Sequence, residues 1–339
     1  MALKKLNRYK DGLDACNEAI ESPLDSRIKY LFYNLCALTR IILGDAEGAL
    51  ADANKAIELD PNWAQAYSSR SKIRRSLEDN QGALADANQA IELDPNWAQA
   101  YNDRSKIRQN LGEYQSALAD ANKAIELDPK LAQAYSSRSK ILLSLGDNQG
   151  ALADANQAIA LNPPNMAEAY STRSSVRLSL GDNQGALADA NQAIALNPNF
   201  AEAYLLRGIV HHRQGDYPAA LSNLNQAISL DEKDGSALFI VGLIKYEMGE
   251  REAAINQWQK AVAIDKKNPR IKMVLAVALY DRGDIDRGLA TAEEALKLDK
   301  GVSDLKYLKE KYFWGKKLLA DAQKLLAHPR IQALLSQAE

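Results

Sequence analysis

Side chains for metal binding and redox chemistry are scarce in this sequence. It has two Cys and three His among 339 residues, which is too few Cys for a disulfide framework. His211 and His212 are neighbours on a predicted helix, so their side chains point about 100° apart and do not easily hold one metal ion. The sequence also lacks a Gly-rich phosphate loop and a nucleophile motif. We therefore expect no metal site, no cofactor and no enzymatic activity.

Long apolar runs and an excess of charge are missing as well. No stretch is long enough to span a bilayer, and residues 1–20 form a polar amphipathic segment rather than a signal peptide. The formal net charge of −2 argues weakly against a nucleic-acid binder. With 46% hydrophobic and 25% charged residues, the composition is that of an ordinary soluble protein, and we expect a cytoplasmic location.

A segment of 34 residues is repeated in tandem through most of the chain. Residues 64–97 read AQAYSSRSKIRRSLEDNQGALADANQAIELDPNW, and residues 98–131 read AQAYNDRSKIRQNLGEYQSALADANKAIELDPKL. The run DNQGALADANQAI occurs at 79–91, 147–159 and 182–194. This identity indicates that the second half of the repeat is a common scaffold, whereas the variation lies mostly in the first half.

Each repeat contains two predicted helices, which cover residues 64–77 and 80–93 in the first copy above. In the second helix, Ala83, Ala87 and Ala90 recur at helical spacing and form one narrow apolar stripe with Leu84 and Ile91. A stripe this small cannot form a core alone. The next repeat must cover it, which predicts a stacked solenoid.

Turn and capping residues mark the ends of these helices. Asn62, followed three residues later by Gln65, is predicted to be the N-cap of a capping box. Asp60 and Pro61 are predicted to stop the preceding helix. The sharp turn between the two helices is predicted at the glycines Gly112, Gly146, Gly181 and Gly215.

Six positions of the repeat carry a family resemblance. Large, small and Pro residues stand at set places, here Tyr67, Ser71, Ala83, Ala87, Ala90 and Pro95. They resemble the tetratricopeptide repeat in its bacterial multi-repeat form, although Ser71 replaces the usual Gly and Arg74 the usual aromatic residue. The resemblance implies an all-α fold, a right-handed superhelical solenoid of helix–turn–helix repeats that binds proteins.

The register of the repeat predicts the domain organisation. A partial N-terminal repeat covers 1–29, and C-terminal capping helices cover 303–339. Eight full repeats lie between them, at 30–63, 64–97, 98–131, 132–166, 167–200, 201–234, 235–268 and 269–302. Because the chain starts inside a repeat, we favour a fragment of a longer protein over a half repeat that acts as a cap. We interpret the last helices as a cap over the final repeat rather than a separate docking segment.

The two cysteines lie close in the predicted stack. The repeat position of Cys16 places it near Cys36. Buried free thiols are favoured over a disulfide, because disulfides are rare in cytosolic proteins. The alternative, a Cys16–Cys36 bridge, stays open.

Two charged series recur with the repeat. The first helices carry Arg70, Arg104, Arg138, Arg173 and Arg207, and the second helices carry Asp52, Asp86, Asp120, Asp154 and Asp189. Pairing within a repeat would leave Asp52 opposite Cys36 and Arg207 opposite Asn223. We therefore predict that each Asp pairs with the Arg of the following repeat, as in Asp86 with Arg104. The alternative is that both series only face solvent.

The resemblance also implies that the first helices line an inner groove where partners bind. In the first half of the chain, that groove is predicted to be polar and basic, through Gln65, Lys72, Arg75, Gln99, Asn102, Lys106, Gln133 and Lys140. In the second half it is predicted to be apolar, through Leu205, Leu206, Ile209, Phe239, Ile240 and Leu243. The alternatives are that the lysines are only solvated, and that the C-terminal helices cover the apolar half.

These features favour a non-catalytic protein-interaction scaffold. Its predicted partner is an extended peptide or protein segment that carries acidic and apolar residues. A self-assembling protein that joins through the ends of its array is the alternative. A nucleic-acid binder is a third hypothesis, in which Trp63 and Trp97 would stack on bases beside Lys72, Arg74, Arg75, Lys106, Arg108 and Lys140. The Trp positions recur as Leu131, Met166 and Phe200, which favours packing between repeats instead.

Overall fold

The computed structural model describes residues 2–23, 25–312 and 314–336. Over these residues the chain forms α-helices, one short 3₁₀ turn at Lys300–Ser303 and no β-strand, which confirms the all-helical prediction. The helices are α1 (Ala2–Glu21), α2 (Ser26–Ile42), α3 (Ala46–Leu59), α4 (Ala64–Ser76), α5 (Asn80–Leu93), α6 (Ala98–Asn110), α7 (Tyr114–Leu127), α8 (Ala132–Ser144), α9 (Asn148–Ala160), α10 (Met166–Ser179), α11 (Asn183–Leu196), α12 (Ala201–Arg213), α13 (Tyr217–Leu230), α14 (Gly235–Glu247), α15 (Arg251–Ile264), α16 (Pro269–Asp281), α17 (Ile285–Leu298), α18 (Leu305–Tyr312), α19 (Lys316–Leu326) and α20 (Pro329–Ser336).

The chain divides into two compact bodies, an N-terminal body at Met1–Thr172 and a C-terminal body at Arg173–Glu339. In the N-terminal body, α2 packs on α3, α4 on α5, α6 on α7 and α8 on α9. In the C-terminal body, α12 packs on α13, α14 on α15 and α16 on α17. A turn of three residues joins the helices of each pair. No described helix has both the length and the apolar character that crossing a membrane requires.

Left-handed residues make the turn inside each helix pair. Gly112 and Gly146 have φ of +78° and +85°, a region that glycine enters without steric cost, and this confirms the turn prediction. In the repeat 64–97 the same place is taken by Glu78 with φ of +62°. Aspartates then cap the second helices. The side chain of Asp79, for example, accepts a hydrogen bond from the amide of Gly82 at 2.9 Å.

The predicted capping box at Asn62 is wrong. Trp63 is the N-cap of α4, and it makes no side-chain capping bond. The carboxylate of Asp60 instead accepts a hydrogen bond from the amide of Asn62 at 3.1 Å. This local turn around Pro61 satisfies the backbone before the helix begins, because an Asp side chain readily bonds to the amide two residues onward.

Small residues fill the interface between the two helices of a repeat. Ala83, Ala87 and Ala90 of α5 are at most 2% exposed, as the predicted stripe requires. Ser71 of α4 is equally buried, and its hydroxyl donates to the carbonyl of Ala83 at 2.8 Å. The same bond joins Ser139 to Ala151 and Ser174 to Ala186. Ser at this position therefore satisfies a carbonyl of the second helix and still lets the two backbones approach closely.

Larger side chains enter this interface in the C-terminal body. Leu224 and Trp258 stand where Ala87 stands in its repeat, and both are fully buried. Each faces a glycine, Gly208 or Gly242, at the position of Ser71. A Cβ atom on Gly242 would lie 2.2 Å from Nε1 of Trp258, so the glycine is what makes room for the indole ring.

The C-terminal helices pack on the first helices of the last two pairs. Helix α19 lies against α14 and α16, and α20 lies against α17. The Tyr246 hydroxyl of α14 donates a hydrogen bond to Asp321 of α19 at 2.8 Å. Glu247 accepts from the amide of Leu318 at 3.1 Å, which places a carboxylate at the positive N-terminal end of α19.

Cys16 of α1 and Cys36 of α2 are joined by a disulfide, with their Cα atoms 5.9 Å apart. The prediction of two free thiols is therefore wrong. The packing of α1 on α2 brings the two Cα atoms into the distance range that a disulfide needs. Disulfides persist mainly in oxidising compartments, and the cytoplasmic location stays a prediction.

The Arg–Asp series pairs within each repeat, so the predicted pairing across repeats is wrong. Arg104 contacts Asp120 through two hydrogen bonds of 2.9 and 2.6 Å. Four equivalent contacts involve Arg70 with Asp86, Arg138 with Asp154, Arg173 with Asp189, and Arg207 with Asn223. The two residues of every pair are 16 positions apart.

The partners that the prediction regarded as stranded are satisfied by other side chains. Asp52 accepts a hydrogen bond from Nε of Arg40 at 2.7 Å, one helical turn beyond Cys36. Arg207 donates to the amide oxygen of Asn223 at 2.6 Å. The remaining guanidinium nitrogen reaches the preceding repeat instead, as when Nη1 of Arg104 donates to Asn88 at 3.0 Å. The ion pairs therefore join the two helices of one repeat, and an amide contact joins neighbouring repeats.

Candidate functional site

The first helices of the N-terminal body surround a polar cavity of about 510 Å³, named here the basic pocket. Four consecutive first helices contribute to it, so its residues come from four repeats. They are Arg75 of α4, Lys106, Gln109 and Asn110 of α6, Ser136, Ser137 and Lys140 of α8, and Glu168 of α10.

The predicted row of lysines is divided by this cavity. Lys106 and Lys140 line it, whereas Lys72 forms a salt bridge of 3.1 Å with Asp103 outside it. Gln99 also donates to Asp103, at 2.8 Å. Burial lowers the pKa of Lys106, and the nearby Glu168 and Asp103 only partly oppose this effect. The basic pocket thus holds positive charge that its own carboxylates do not balance.

Glu168 is the pocket residue that the sequence analysis missed. It occupies the helix position of Gln65, Gln99 and Gln133 in the three preceding repeats. Gln65 is half-buried and Gln133 is exposed, and neither lines the pocket. A comparison of this one position along the repeats would have identified the change from Gln to Glu.

Asn102 is not available to a partner, although it was predicted to be. Its side chain is fully buried, and its amide oxygen accepts a hydrogen bond from the Ser137 hydroxyl at 2.8 Å. The neighbouring first helices α6 and α8 pack together at this point, so the side chain lies between them instead of facing the groove.

The C-terminal body contains a second cavity, of about 370 Å³, named here the apolar pocket. Four of the predicted groove residues line it. They are Ile209, Phe239, Ile240 and Leu243. Ile264, Ile271 and Tyr312 complete its apolar wall, and the polar residues at its border are His212, Arg213, Ser236, Asp265, Asn268 and Arg270.

Two predicted residues of the apolar surface lie elsewhere. Leu206 is 6% exposed and packs in the core with Ala186, Ala190 and Val210. Leu205 is partly buried against a core cluster of α13 and α14. Leu206 therefore stabilises the helix pair and is not open to a partner. The hydrophobic character of a first helix alone does not separate these two roles.

Cationic groups surround the border of the apolar pocket. Burial, and then the charge of Arg213, lower the pKa of His212 to about 4, so this imidazole is neutral at pH 7. The Arg270 guanidinium lies 4.5 Å from the centre of the Tyr312 ring, within the range of a cation–π contact. Because Tyr312 belongs to α18, part of the wall comes from the chain's own C-terminal segment, and the alternative that this segment covers the apolar surface holds in part.

The described residues form no surface of the kind expected for stacking nucleic-acid bases. Arg74 and Arg108 form salt bridges with Asp86 and Asp120 at 3.0 and 2.7 Å. Trp97 packs on a core cluster, and Trp63 contacts Tyr30 edge to face. Within the described part of the chain, no group of three His, Cys, Asp or Glu side chains could hold a metal ion.

Family models agree with this architecture of paired helices. The tetratricopeptide repeat models match residues 31–62, 64–96, 102–166, 172–237 and 242–283, which together make up most of the chain. The chain belongs to the tetratricopeptide repeat family. Proteins of this family are in general interaction scaffolds without catalytic activity, and they bind proteins or peptides.

Solved tetratricopeptide repeat structures share the fold. A chain of the APC/C hetero-tetramer Cut9–Hcn1 has a TM-score of 0.66 at 14% identity, and the match covers 88% of this chain and 55% of that one. This chain thus spans about half the length of that relative. A tetratricopeptide repeat protein from Parabacteroides merdae ATCC 43184 has a TM-score of 0.58 at 19% identity, over 74% of this chain and 98% of that one. No curated protein sequence matches this chain.

Proposed function

We propose that this chain is a non-catalytic scaffold that binds a protein or peptide partner through the basic pocket and the apolar pocket. One observation carries the proposal. The residues that vary between repeats converge in two cavities on the first helices, whereas the second helices repeat the same sequence. A surface that varies on a constant scaffold is where a repeat protein places its specificity.

The two pockets select complementary chemistry. The basic pocket suits acidic residues, which it attracts through Arg75, Lys106 and Lys140. The apolar pocket suits one large apolar side chain, because its volume of about 370 Å³ is within the usual size of ligand cavities. A buried apolar anchor usually dominates affinity, and charges mainly raise the rate of association.

Removing the apolar contact should weaken partner binding the most. For a partner identified by pull-down and mass spectrometry, we expect Phe239→Ala to reduce the free energy of binding by about 2 kcal/mol or more. Replacing Lys106 and Lys140 together with Gln should lower the association rate and flatten its dependence on salt. Stopped-flow and equilibrium titrations measure both effects.

The matched control for the charge change is Lys123→Gln on α7. Lys123 is exposed and pairs with Glu126 at 2.7 Å, away from both pockets. Circular dichroism of each variant checks that the fold is retained. Unchanged binding in both pocket variants would place the functional surface elsewhere on the molecule, and the proposal would then be rejected.

Self-assembly is the second candidate, and one surface of α2 favours it. Ile28, Leu31, Leu35 and Ile42 are between 39% and 54% exposed, and their spacing places them on one face of the helix. Exposed apolar stripes of this kind often mark contact surfaces. Light scattering should then give a mass that rises with concentration, and Leu31→Lys with Leu35→Lys should abolish the rise. Leu196→Lys, an equally exposed leucine on α11, should not.

A further inference from the structure

The basic pocket has the composition of a site for a doubly charged anion. Arg75, Lys106 and Lys140 converge from three successive first helices, and the hydroxyl of Ser136 and the amide of Gln109 line the same cavity. Three positive charges and the single negative charge of Glu168 give the lining a net charge of +2 (3 − 1 = 2). Asp103, the next nearest carboxylate, is already bonded to Lys72 and Gln99.

We propose that the basic pocket is a recognition site for a phosphomonoester group. The proposal rests on the proposed function, because it specifies which anion of a partner the pocket takes. A phosphomonoester carries about −1.5 to −2 charges at pH 7 and three strong acceptor oxygens. These match the net charge of the lining and the three cations, of which Arg75 offers a planar fork for two oxygens.

A single carboxylate is a poorer match for the pocket. It carries one charge and two oxygens, so it would leave one positive charge of the cavity unbalanced. Burying a charge without a partner is costly, and the lowered pKa of Lys106 reflects that cost in the empty pocket. Binding of a dianion would offset more of it than binding of a monoanion would.

Glu168 sets the selectivity of the site. Its carboxylate lies within the pocket and interacts favourably with Lys106, so it competes with any incoming anion. A weakly charged ligand gains little by displacing this internal competitor, whereas a dianion gains more. The three preceding repeats carry Gln at the same position, so Glu168→Gln introduces only what the scaffold already accommodates.

Isothermal titration with small capped residues tests the anion preference directly. The probes are inorganic phosphate, N-acetyl-phosphoserine amide and N-acetyl-glutamate amide, each titrated into the full chain at pH 7.5. We expect the capped phosphoserine to bind on the order of tenfold more tightly than the capped glutamate, because charge-assisted bonds increase with charge and oxygen number. Lys106→Gln should weaken phosphoserine binding by on the order of tenfold.

The opposite sign is expected for Glu168→Gln, which should tighten binding of every anionic probe by about fivefold, since it removes a like charge. Lys123→Gln should change nothing. Lowering the pH to 5.5 should weaken phosphoserine binding, because the second pKa of a phosphomonoester is about 6. The charged groups facing the site are Arg75, Lys140, Glu168 and Asp103, and none of the three His lines it.

A further arm separates the two sources of such a group. A ten-residue peptide with one phosphoserine should bind more tightly than the capped residue if the natural ligand is a phosphorylated protein, and equally if it is a small phosphorylated compound. Equal binding of capped glutamate and capped phosphoserine would overturn the inference and leave the proposed function intact. Failure of all anions to bind, with Glu168→Gln also silent, would overturn the inference and remove the basic pocket from the proposed function.

Discussion

Trp258→Ala is expected to lower the free energy of unfolding by about 3–5 kcal/mol, the usual range for a buried Trp replaced by Ala. The Trp258 side chain is fully buried, and its Nε1 donates a hydrogen bond to the carbonyl of Phe239 at 3.0 Å. Its ring centre lies 5.7 Å from that of Tyr246. Urea unfolding followed by circular dichroism measures the change, which should affect the C-terminal body most because repeat proteins are stabilised by neighbouring contacts.

Gly242 provides the control for this explanation. Gly242→Ser introduces the residue that the earlier repeats carry at that position, yet it should cost about 1–3 kcal/mol because the new side chain overlaps the indole ring. In the Trp258→Ala background the cost should largely disappear, since Ser faces Ala in those repeats. Additive losses in the double variant would show that Gly242 does not serve to accommodate Trp258.

Breaking the ion pair between Arg104 and Asp120 is expected to cost about 3–5 kcal/mol, because one charge is then left buried without its partner. The two side chains are 16% and 4% exposed. Arg108 also contacts Asp120 at 2.7 Å, so loss of Asp120 affects two arginines. Urea unfolding of Asp120→Leu measures the total effect, and Arg104→Met measures one contact.

A double-mutant cycle separates the two pairing schemes. Arg104→Met should couple to Asp120→Leu by more than about 1 kcal/mol, and to Asp86→Leu by less than about 0.5 kcal/mol. Asp86 is the matched control because it has the same burial but bonds to Arg70 and Arg74. Strong coupling to Asp86 would restore pairing across repeats and contradict the geometry described above.

The helices and their turns could be predicted because they depend on neighbouring residues. The Ala stripe at Ala83, Ala87 and Ala90 has helical spacing, and Gly112 and Gly146 allow the left-handed turn that joins two helices. The same local rules also indicated the family. They were incomplete at Asn62, where two side chains, Asn62 and Asp60, competed to satisfy one stretch of backbone and the stronger local turn formed.

The pairing of charged residues could not be derived from their spacing. The Arg and Asp series share the period of the repeat, so pairing within a repeat and pairing across repeats produce the same pattern in the sequence. The rotation of one helix against the other decides between them, and that rotation follows from core packing. Arg40, which satisfies Asp52, lies outside both series and was therefore not considered.

The candidate sites follow the same division. That the first helices carry the variable residues is evident from comparing one repeat with the next. Which of these residues face a cavity depends on the packing of successive first helices, since that packing buries Asn102 and Leu206 but leaves Lys106 and Phe239 at pocket walls. Three-dimensional packing also brings Glu168, more than sixty positions from Lys106 in the sequence, into the same pocket as that lysine. Electrostatic interaction depends on distance in space, which a repeat pattern does not encode.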